Sequence, residues 1–167
     1  MEIWDAYDEQ GHLTGGELVR GQPVPPGLYH LVADILVRHR DGDYLLMQRD
    51  PNKKGYGGWY EASAGGSALK GETAPDCAKR ELSEETGIQD FTLTQICHCI
   101  HPGVIYVGFL AVTDCNKSSI VLQKGETVDY KWLTEQEFIA FVNSEHMIPA
   151  QKQRQLEYYI QLGYIKP

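Results

Sequence analysis

The stretch that decides the fold is Gly66-Ser67-Ala68-Leu69-Lys70-Gly71-Glu72, followed seven residues later by Arg80-Glu81-Leu82-Ser83-Glu84-Glu85-Thr86-Gly87-Ile88. Within this stretch the sequence predicts a helix from Ala74 to Thr86. Thr73 can cap its first turn, and Gly87 can take the left-handed backbone conformation that ends a helix. The chain therefore places a glycine-containing loop directly before a short, well-delimited helix.

Three glutamates near the end of this predicted helix form a carboxylate cluster. The helical period of 3.6 residues places Glu81, Glu84 and Glu85 on one face. Like charges at adjacent helical positions cost about 0.2–0.5 kcal/mol per pair, and the negative end of the helix dipole adds to that cost. Arg80 can offset part of it by pairing with Glu84. The pattern leaves two interpretations, a solvated acidic face or an oxygen-rich site for a hard cation such as Mg²⁺.

The spacing of these residues resembles the complete signature of the Nudix hydrolases, because every specified position from Gly66 to Ile88 is matched. The resemblance implies an α/β/α sandwich with a mixed sheet. It also implies hydrolysis of a phosphoanhydride bond in a nucleoside diphosphate that is linked to another moiety. The implied metal ligands are Glu81, Glu84, Glu85 and the carbonyl group of Gly66, which would bind Mg²⁺, with Mn²⁺ as the alternative.

Further roles follow from the same resemblance. The catalytic residues that it implies are Glu81, Glu84, Arg80 and Glu126. Either Glu84 or Glu126 would take the proton from water, and Arg80 would orient the carboxylates. Arg49, Lys53 and Lys54 flank the presumed cleft and are candidate phosphate-binding residues, with a solvated basic loop as the alternative.

Residues Leu28 to Ile88 also resemble one branch of this family, the branch that contains isopentenyl diphosphate isomerase. The shared features are His30, residues 45–49, Lys54 and the pair Gly58-Trp59. That isomerase needs a cysteine where Ala64 stands and a metal-binding histidine where Gly66 stands. The resemblance therefore implies a hydrolase of the isomerase-like branch. Isomerase activity and a domain that binds nucleotide without hydrolysing it are the alternatives.

Composition limits the classes of partner. The chain has 167 residues, a formal net charge of −8 and four cysteines without the spacing of a disulfide framework. Its pI near 5.2 argues against a nucleic-acid-binding surface, which would be basic. The sequence shows no signal peptide and no apolar run long enough to span a membrane. We expect a cytoplasmic monomer or homodimer that acts on a small nucleoside diphosphate derivative.

The chain is predicted to be a single domain, with a hairpin and connector in residues 1–26 and a core in residues 27–167. We expect strands over residues 28–38, 44–49, 91–101, 104–113 and 129–133, and one that ends at residues 65–66. Helices are expected over residues 74–86, 135–143 and 150–162.

Three local patterns carry weaker signals. Cys97, Cys99 and His101 suggest a zinc site, but the strand pattern and the missing second ligand pair favour ordinary strand packing. Pro102 and Tyr106 lie near positions that mark two different substrate classes within the family. Because the two markers disagree, they do not choose the substrate.

Overall fold

The computed structural model describes residues 1–167. An N-terminal hairpin pairs β1 (Ile3–Tyr7) with β2 (Leu13–Val19). The remaining strands are β3 (His30–His39), β4 (Tyr44–Arg49), β5 (Tyr60–Glu61), β6 (Ala64–Ser67), β7 (Thr92–His101), β8 (Val104–Thr113) and β9 (Thr127–Leu133). The helices are α1 (Ala74–Thr86), α2 (Glu135–Val142), α3 (Pro149–Arg154) and α4 (Leu156–Gln161), with a 3₁₀ turn at Lys117–Ser119.

The main sheet is mixed. Its strands are ordered β5-β4-β3-β8-β7, with β6 also paired to β3 and β9 also paired to β4. Strands β3 and β8 run parallel along their whole lengths, whereas the other pairs are antiparallel. This confirms the mixed sheet expected from the sequence.

Helices cover both faces of the sheet. Alternate residues of β3 point to opposite sides, so Ala33 and Ile35 pack in one core with Leu82 of α1. Leu36 packs in a second core with Phe138 of α2 and with α4. The α/β/α sandwich is thereby confirmed. None of the helices is long and apolar enough to cross a membrane.

Helix α1 begins and ends where the sequence places it. The Thr73 side chain accepts a hydrogen bond from the Asp76 amide, and the Asp76 carboxylate accepts one from the Thr73 amide in return. At the other end Gly87 has φ of 76°, a conformation that costs glycine little. These caps fix the position of the glutamates in the last turns of α1.

Two elements differ from the prediction. The expected single strand after Trp59 is two short strands, of which β5 pairs with β4 and β6 pairs with β3. Ser63 lies between them, and its hydroxyl accepts from the Val37 amide and donates to the Leu45 carbonyl. The expected C-terminal helix is divided into α3 and α4 at Gln155, whose φ of −104° and ψ of 7° are not helical. Gln155 is completely buried and accepts a hydrogen bond from the Tyr159 hydroxyl, so tertiary packing overrides the helical period there.

The hairpin is docked on the loop that precedes α1. The Lys70 amide donates to the Ile3 carbonyl at 2.9 Å, and the Gly71 amide donates to the Asp5 carboxylate at 2.7 Å. Trp4 is buried and its ring stacks on His30 at 4.1 Å between centroids. The hairpin is therefore packed against β3 and against the loop that leads into α1.

Candidate active site

The carboxylate cluster of α1 lies against the backbone of β6. A side-chain carbon at Gly66 would stand 2.2 Å from the Oε1 atom of Glu81, so no residue other than glycine fits while Glu81 keeps this position. The Gly66 carbonyl oxygen accepts a hydrogen bond from the Cys77 thiol at 3.4 Å. Burial raises the pKa of Cys77 to about 12, so this thiol stays protonated. The close contact between strand and helix brings a carbonyl oxygen to the edge of the carboxylate cluster.

Arg80 holds the loop and the helix together. Its Nε and Nη2 atoms donate to the two oxygens of Glu72 at 2.7 and 2.9 Å, and Nη2 also donates to the Ser67 carbonyl at 3.0 Å. Its Nη1 atom donates to Glu81 at 2.7 Å and reaches Glu84 Oε2 at 3.3 Å. The hydrogen bonds from Arg80 lower the pKa of Glu72. Arg80 thus orients carboxylates.

Burial raises the pKa of two carboxylates of the cluster, Glu85 and Glu81. Glu85 is only 5% exposed and makes no ion pair. Its pKa is raised well above the usual range, first by burial and then by the neighbouring charges of Glu61, Glu81 and Glu126. Burial also raises the pKa of Glu81, although the ion pair with Arg80 opposes that rise. The site therefore concentrates negative charge that the protein neutralises only in part.

These groups line a polar cleft of about 290 Å³, which we call the carboxylate cleft. Its lining contains Glu81, Glu84 and Glu85 of α1, the Gly65–Ser67 backbone, Arg80, Lys53, Gln123 and Glu126, and also Glu2 and Arg20 of the hairpin region. Glu126 is ion-paired with Lys53 at the rim. The structure thus brings Glu126, predicted from the loop before β9, to the same cleft as the α1 glutamates.

The donor set fits a hard divalent cation in chemistry and charge. Three carboxylates and the Gly66 carbonyl are all oxygen donors, as Mg²⁺ prefers, and the buried Glu85 carboxylate has no basic side chain paired with it. The side chains as they stand do not form a group of three or more His, Cys, Asp or Glu around one metal position. Arg80 pairs with Glu81, and Lys53 pairs with Glu126.

A second cleft of about 200 Å³ lies on the other side of the Gly65–Ser67 backbone, and we call it the arginine cleft. Arg49 of β4 lines it, and its Nη1 atom donates to both oxygens of Glu61 at 3.1 Å. Arg154 of α3 lines it too, and its Nε atom donates to Asp34 of β3 at 2.5 Å. The cleft therefore contains two arginine–carboxylate pairs next to the carboxylate cleft.

Two residues that were predicted to flank the cleft, Arg49 and Lys54, do not line the carboxylate cleft. Arg49 lies in the arginine cleft, paired with Glu61, and does not line the carboxylate cleft. Lys54 is exposed and lines neither cleft, whereas the adjacent Lys53 lines the carboxylate cleft. The loop that carries both lysines turns sharply, and Gly57 approaches the Pro51 carbonyl so closely that a side-chain carbon would stand 2.4 Å from it.

Sequence reasoning missed several residues of these clefts. Asp34 could have been identified from the sequence, because it is a charged residue inside the apolar run of β3. In the structure it is buried, at 7% exposure. Glu61, Arg154, Glu2 and Arg20 give none, because only the tertiary fold brings them to the site.

The residues behind the weaker sequence signals lie in different parts of the structure. Tyr106 lines the arginine cleft, whereas Pro102 lies in the β7–β8 turn and lines neither cleft. Cys97 and Cys99 belong to β7, where the register with β8 shifts between Gln95 and Cys97. All four cysteines are free thiols.

The chain is similar to known proteins in sequence and in fold. Residues 28–156 match the family model described as the NUDIX domain. A relative from Listeria monocytogenes, named an uncharacterized Nudix hydrolase, is 36% identical over 151 residues, which are 89% of each chain. An isopentenyl-diphosphate Delta-isomerase of Corynebacterium diphtheriae is 28% identical over 106 residues, 64% of this chain and 57% of the isomerase. The crystal structure of DR0079 from Deinococcus radiodurans is similar with a TM-score of 0.75 at 17% identity, covering 95% of this chain and 99% of that one.

Proposed function

The chain belongs to the Nudix hydrolases, and from this premise we propose that it is a Mg²⁺-dependent hydrolase of a nucleoside diphosphate linked to another moiety. One observation carries the proposal, namely that the α1 carboxylates and the Gly66 carbonyl meet in one cleft in which the Glu85 carboxylate is buried and has no basic side chain paired with it. We take residues 1–167 as one domain, with residues 1–26 as hairpin and connector and residues 27–167 as core. The docking of the hairpin on the loop before α1 supports treating the hairpin and the core as one domain.

The proposed metal ligands are Glu81, Glu84, Glu85 and the Gly66 carbonyl, with Mn²⁺ as the alternative ion. When bound, Mg²⁺ neutralises the diphosphate and lowers the pKa of the attacking water. Arg80 keeps Glu72 and the loop in place, and Glu81, which Arg80 also contacts, would be one of the carboxylates that hold the cation. The relation to the isomerase-like branch has support from one relative of 28% identity.

For the proton transfer we propose Glu84 rather than Glu126. The Glu84 side chain is 46% exposed, and its only contact, at 3.3 Å from Arg80, uses Oε2. Its Oε1 atom is therefore free to take a proton from water at the mouth of the cleft. Glu126 is held by Lys53, and we assign that pair to the rim, where Lys53 can contact phosphate in place of Lys54.

Isomerisation is the weaker candidate function. The isomerase thiol has no counterpart, because Ala64 is 4% exposed and carries only a methyl group. The isomerase histidine has no counterpart either, because Gly66 stands at that position, and a side-chain carbon there would lie 2.2 Å from the present position of Glu81 Oε1. A domain that only binds nucleotide is the other alternative, and the complete carboxylate set opposes it.

Mg²⁺ is expected to raise the melting temperature of the wild type, because it binds a native carboxylate cluster that unfolding disperses. In Glu85→Gln this increase should be lost, since the amide carries no charge for the cation. A thermal melt with and without millimolar Mg²⁺ measures both, and Glu157→Gln, at an exposed position of α4, is the matched control. A wild-type melt that does not respond to Mg²⁺ would count against the metal site.

Without metal, Glu85→Gln is expected to melt at a higher temperature than the wild type, and the difference should grow with pH. The folded-state pKa of Glu85 is raised above the ordinary 4.5, so the folded protein binds this proton more tightly than the unfolded chain. The stability that this group contributes is therefore fully present below about pH 4.5 and is lost as the pH rises through the folded-state pKa. Melts of both proteins in chelator across pH 4–9 measure it, and a constant difference would contradict the raised pKa.

The proposed function is tested by a screen of nucleoside diphosphate derivatives with Mg²⁺ or Mn²⁺, in which phosphate is released from the products by an added phosphatase. We expect release from at least one derivative, dependent on the cation and absent in chelator. No release from any derivative with either ion would reject the proposal and favour a binding domain. Exchange of the allylic proton of isopentenyl diphosphate would favour the isomerase.

A further inference from the structure

We propose that the arginine cleft binds a sugar in the moiety linked to the diphosphate, and that Arg154 and Asp34 select for that sugar. The inference rests on the proposed hydrolysis of a nucleoside diphosphate derivative and names the class of the linked moiety. The two clefts share the Gly65–Ser67 backbone, so a diphosphate in the carboxylate cleft has its linked moiety directly beside the arginine cleft.

The pairing of Arg154 leaves hydrogen-bond donors unused. Its Nε atom donates to Asp34 Oδ2 at 2.5 Å, and its guanidinium group lies 4.3 Å from the centre of the Tyr106 ring. Its two Nη nitrogens make no hydrogen bond within the protein, and they are not among the buried polar atoms that lack a partner. These nitrogens are therefore accessible from the cleft.

Arg49 presents donors to the same cleft. Its Nη1 atom makes both contacts with Glu61, whereas its Nη2 atom makes no hydrogen bond within the protein and is not among the buried polar atoms that lack a partner. A guanidinium group carries five N–H donors, so most of those on Arg49 remain unused. A ligand with several acceptor oxygens would satisfy donors from both sides of the cleft.

The charges of the cleft favour a neutral ligand that both donates and accepts hydrogen bonds. Arg154 with Asp34 and Arg49 with Glu61 are two ion pairs whose charges cancel. A sugar hydroxyl can accept from a guanidinium group and donate to a carboxylate at the same time. An anionic group would gain from the arginines but would be repelled by Asp34 and Glu61.

The shape of the cleft argues against a nucleobase. Stacking needs an open aromatic face. Tyr106 is the one aromatic side chain of the lining, and one face of its ring is covered by the Arg154 guanidinium. The volume of about 200 Å³ suits a group of the size of one sugar ring. We therefore place the sugar, rather than the base, in the arginine cleft.

The cleft is held rigid by α3. The Gln151 side chain accepts from the Ala62 amide at 3.0 Å and donates to the Ala62 carbonyl at 2.9 Å, and both contacts are buried. They fix α3, and with it Arg154, to the segment between β5 and β6. A preorganised pair loses little freedom when a ligand binds, and this supports a role in selectivity.

The test compares two substrates with the same base and diphosphate, one a nucleoside diphosphate sugar and the other a butyl ester. We expect the wild type to have the higher kcat/KM for the sugar substrate. In Arg154→Lys, which keeps the ion pair but loses the guanidinium fork, KM for the sugar substrate should rise about tenfold, because the hydrogen bonds from the fork to the sugar hydroxyls are lost. The ratio of kcat/KM for the sugar substrate to kcat/KM for the butyl ester should therefore fall about tenfold.

The double variant Asp34→Asn/Arg154→Met removes both charges without leaving one unpaired, and it should show the same selective rise in KM. Its control is Asp114→Asn/Arg40→Met, which removes an exposed ion pair at the other end of β3. Equal effects on both substrates, or a wild type that prefers the butyl ester, would overturn this inference while leaving the proposed hydrolysis intact. Hydrolysis of neither substrate, nor of any other derivative, would reject the proposed function itself.

Discussion

Glu84→Gln is expected to lower kcat by about 10²–10⁴-fold, the range associated with general acid–base groups. Glutamine keeps the shape of the side chain but supplies neither the charge that a cation needs nor an oxygen that can take a proton. Because Glu84 is half-exposed with a single contact at 3.3 Å, the fold should be unaffected. Steady-state kinetics on the best substrate of the screen measures the loss, and the melting temperature checks the fold.

Two further variants make this result specific. Glu157→Gln removes the same charge from an exposed helical position outside both clefts and should leave kcat unchanged. Glu126→Gln should cost less than Glu84→Gln if Glu84 takes the proton. Near wild-type turnover in Glu84→Gln would remove that residue from both the metal site and the proton transfer.

Arg80→Ala is expected to lower both stability and activity. It removes the donor shared by Glu72, Glu81 and the Ser67 carbonyl and leaves partly buried carboxylates unpaired. We expect a loss of about 2 kcal/mol in the free energy of unfolding, below the value for a fully buried pair because these groups are partly exposed. Misplaced carboxylates should lower kcat about a hundredfold, as expected for displacements near 1 Å. Chemical denaturation and kinetics measure the two effects.

Arg80→Lys separates charge from geometry. Lysine keeps the positive charge but cannot reach Glu72 and Glu81 together through a planar fork, so its kcat should stay well below that of the wild type. Recovery of full activity in Arg80→Lys would show that Arg80 contributes charge alone. An unchanged denaturation midpoint in Arg80→Ala would show that the network does not hold the loop.

The sequence predicted the elements whose signals are local. Helix α1 has a capping box at Thr73 and a glycine at residue 87, and both ends agree with the structure. The division between α3 and α4 was not predictable, because it depends on the buried side chain of Gln155 and on the packing of Tyr159. Local patterns describe where a helix can form, whereas core packing decides where it is interrupted.

The same distinction applies to the candidate site. The α1 glutamates, Arg80 and Gly66 follow from one continuous stretch of sequence, and Glu126 follows from its place before β9. The arginine cleft combines β3, β4, β5 and α3, so its Arg154 and Glu61 had no local signal. The placements of Arg49 and Lys54 were harder to predict. Arg49, at the end of β4, is paired with Glu61 of β5, and Lys54 lies in a loop whose path depends on the tertiary fold.

The central claim is that the carboxylate cleft directs water to a phosphoanhydride bond. It is tested most directly by hydrolysing the best substrate with Mg²⁺ in ¹⁸O-labelled water and analysing the products by mass spectrometry. We expect one ¹⁸O atom in one of the two phosphate products per turnover. No label should be incorporated in the presence of chelator, and Glu84→Gln should incorporate label only at a low residual rate. Label in a non-phosphate product, or turnover that is unaffected by chelator, would contradict it.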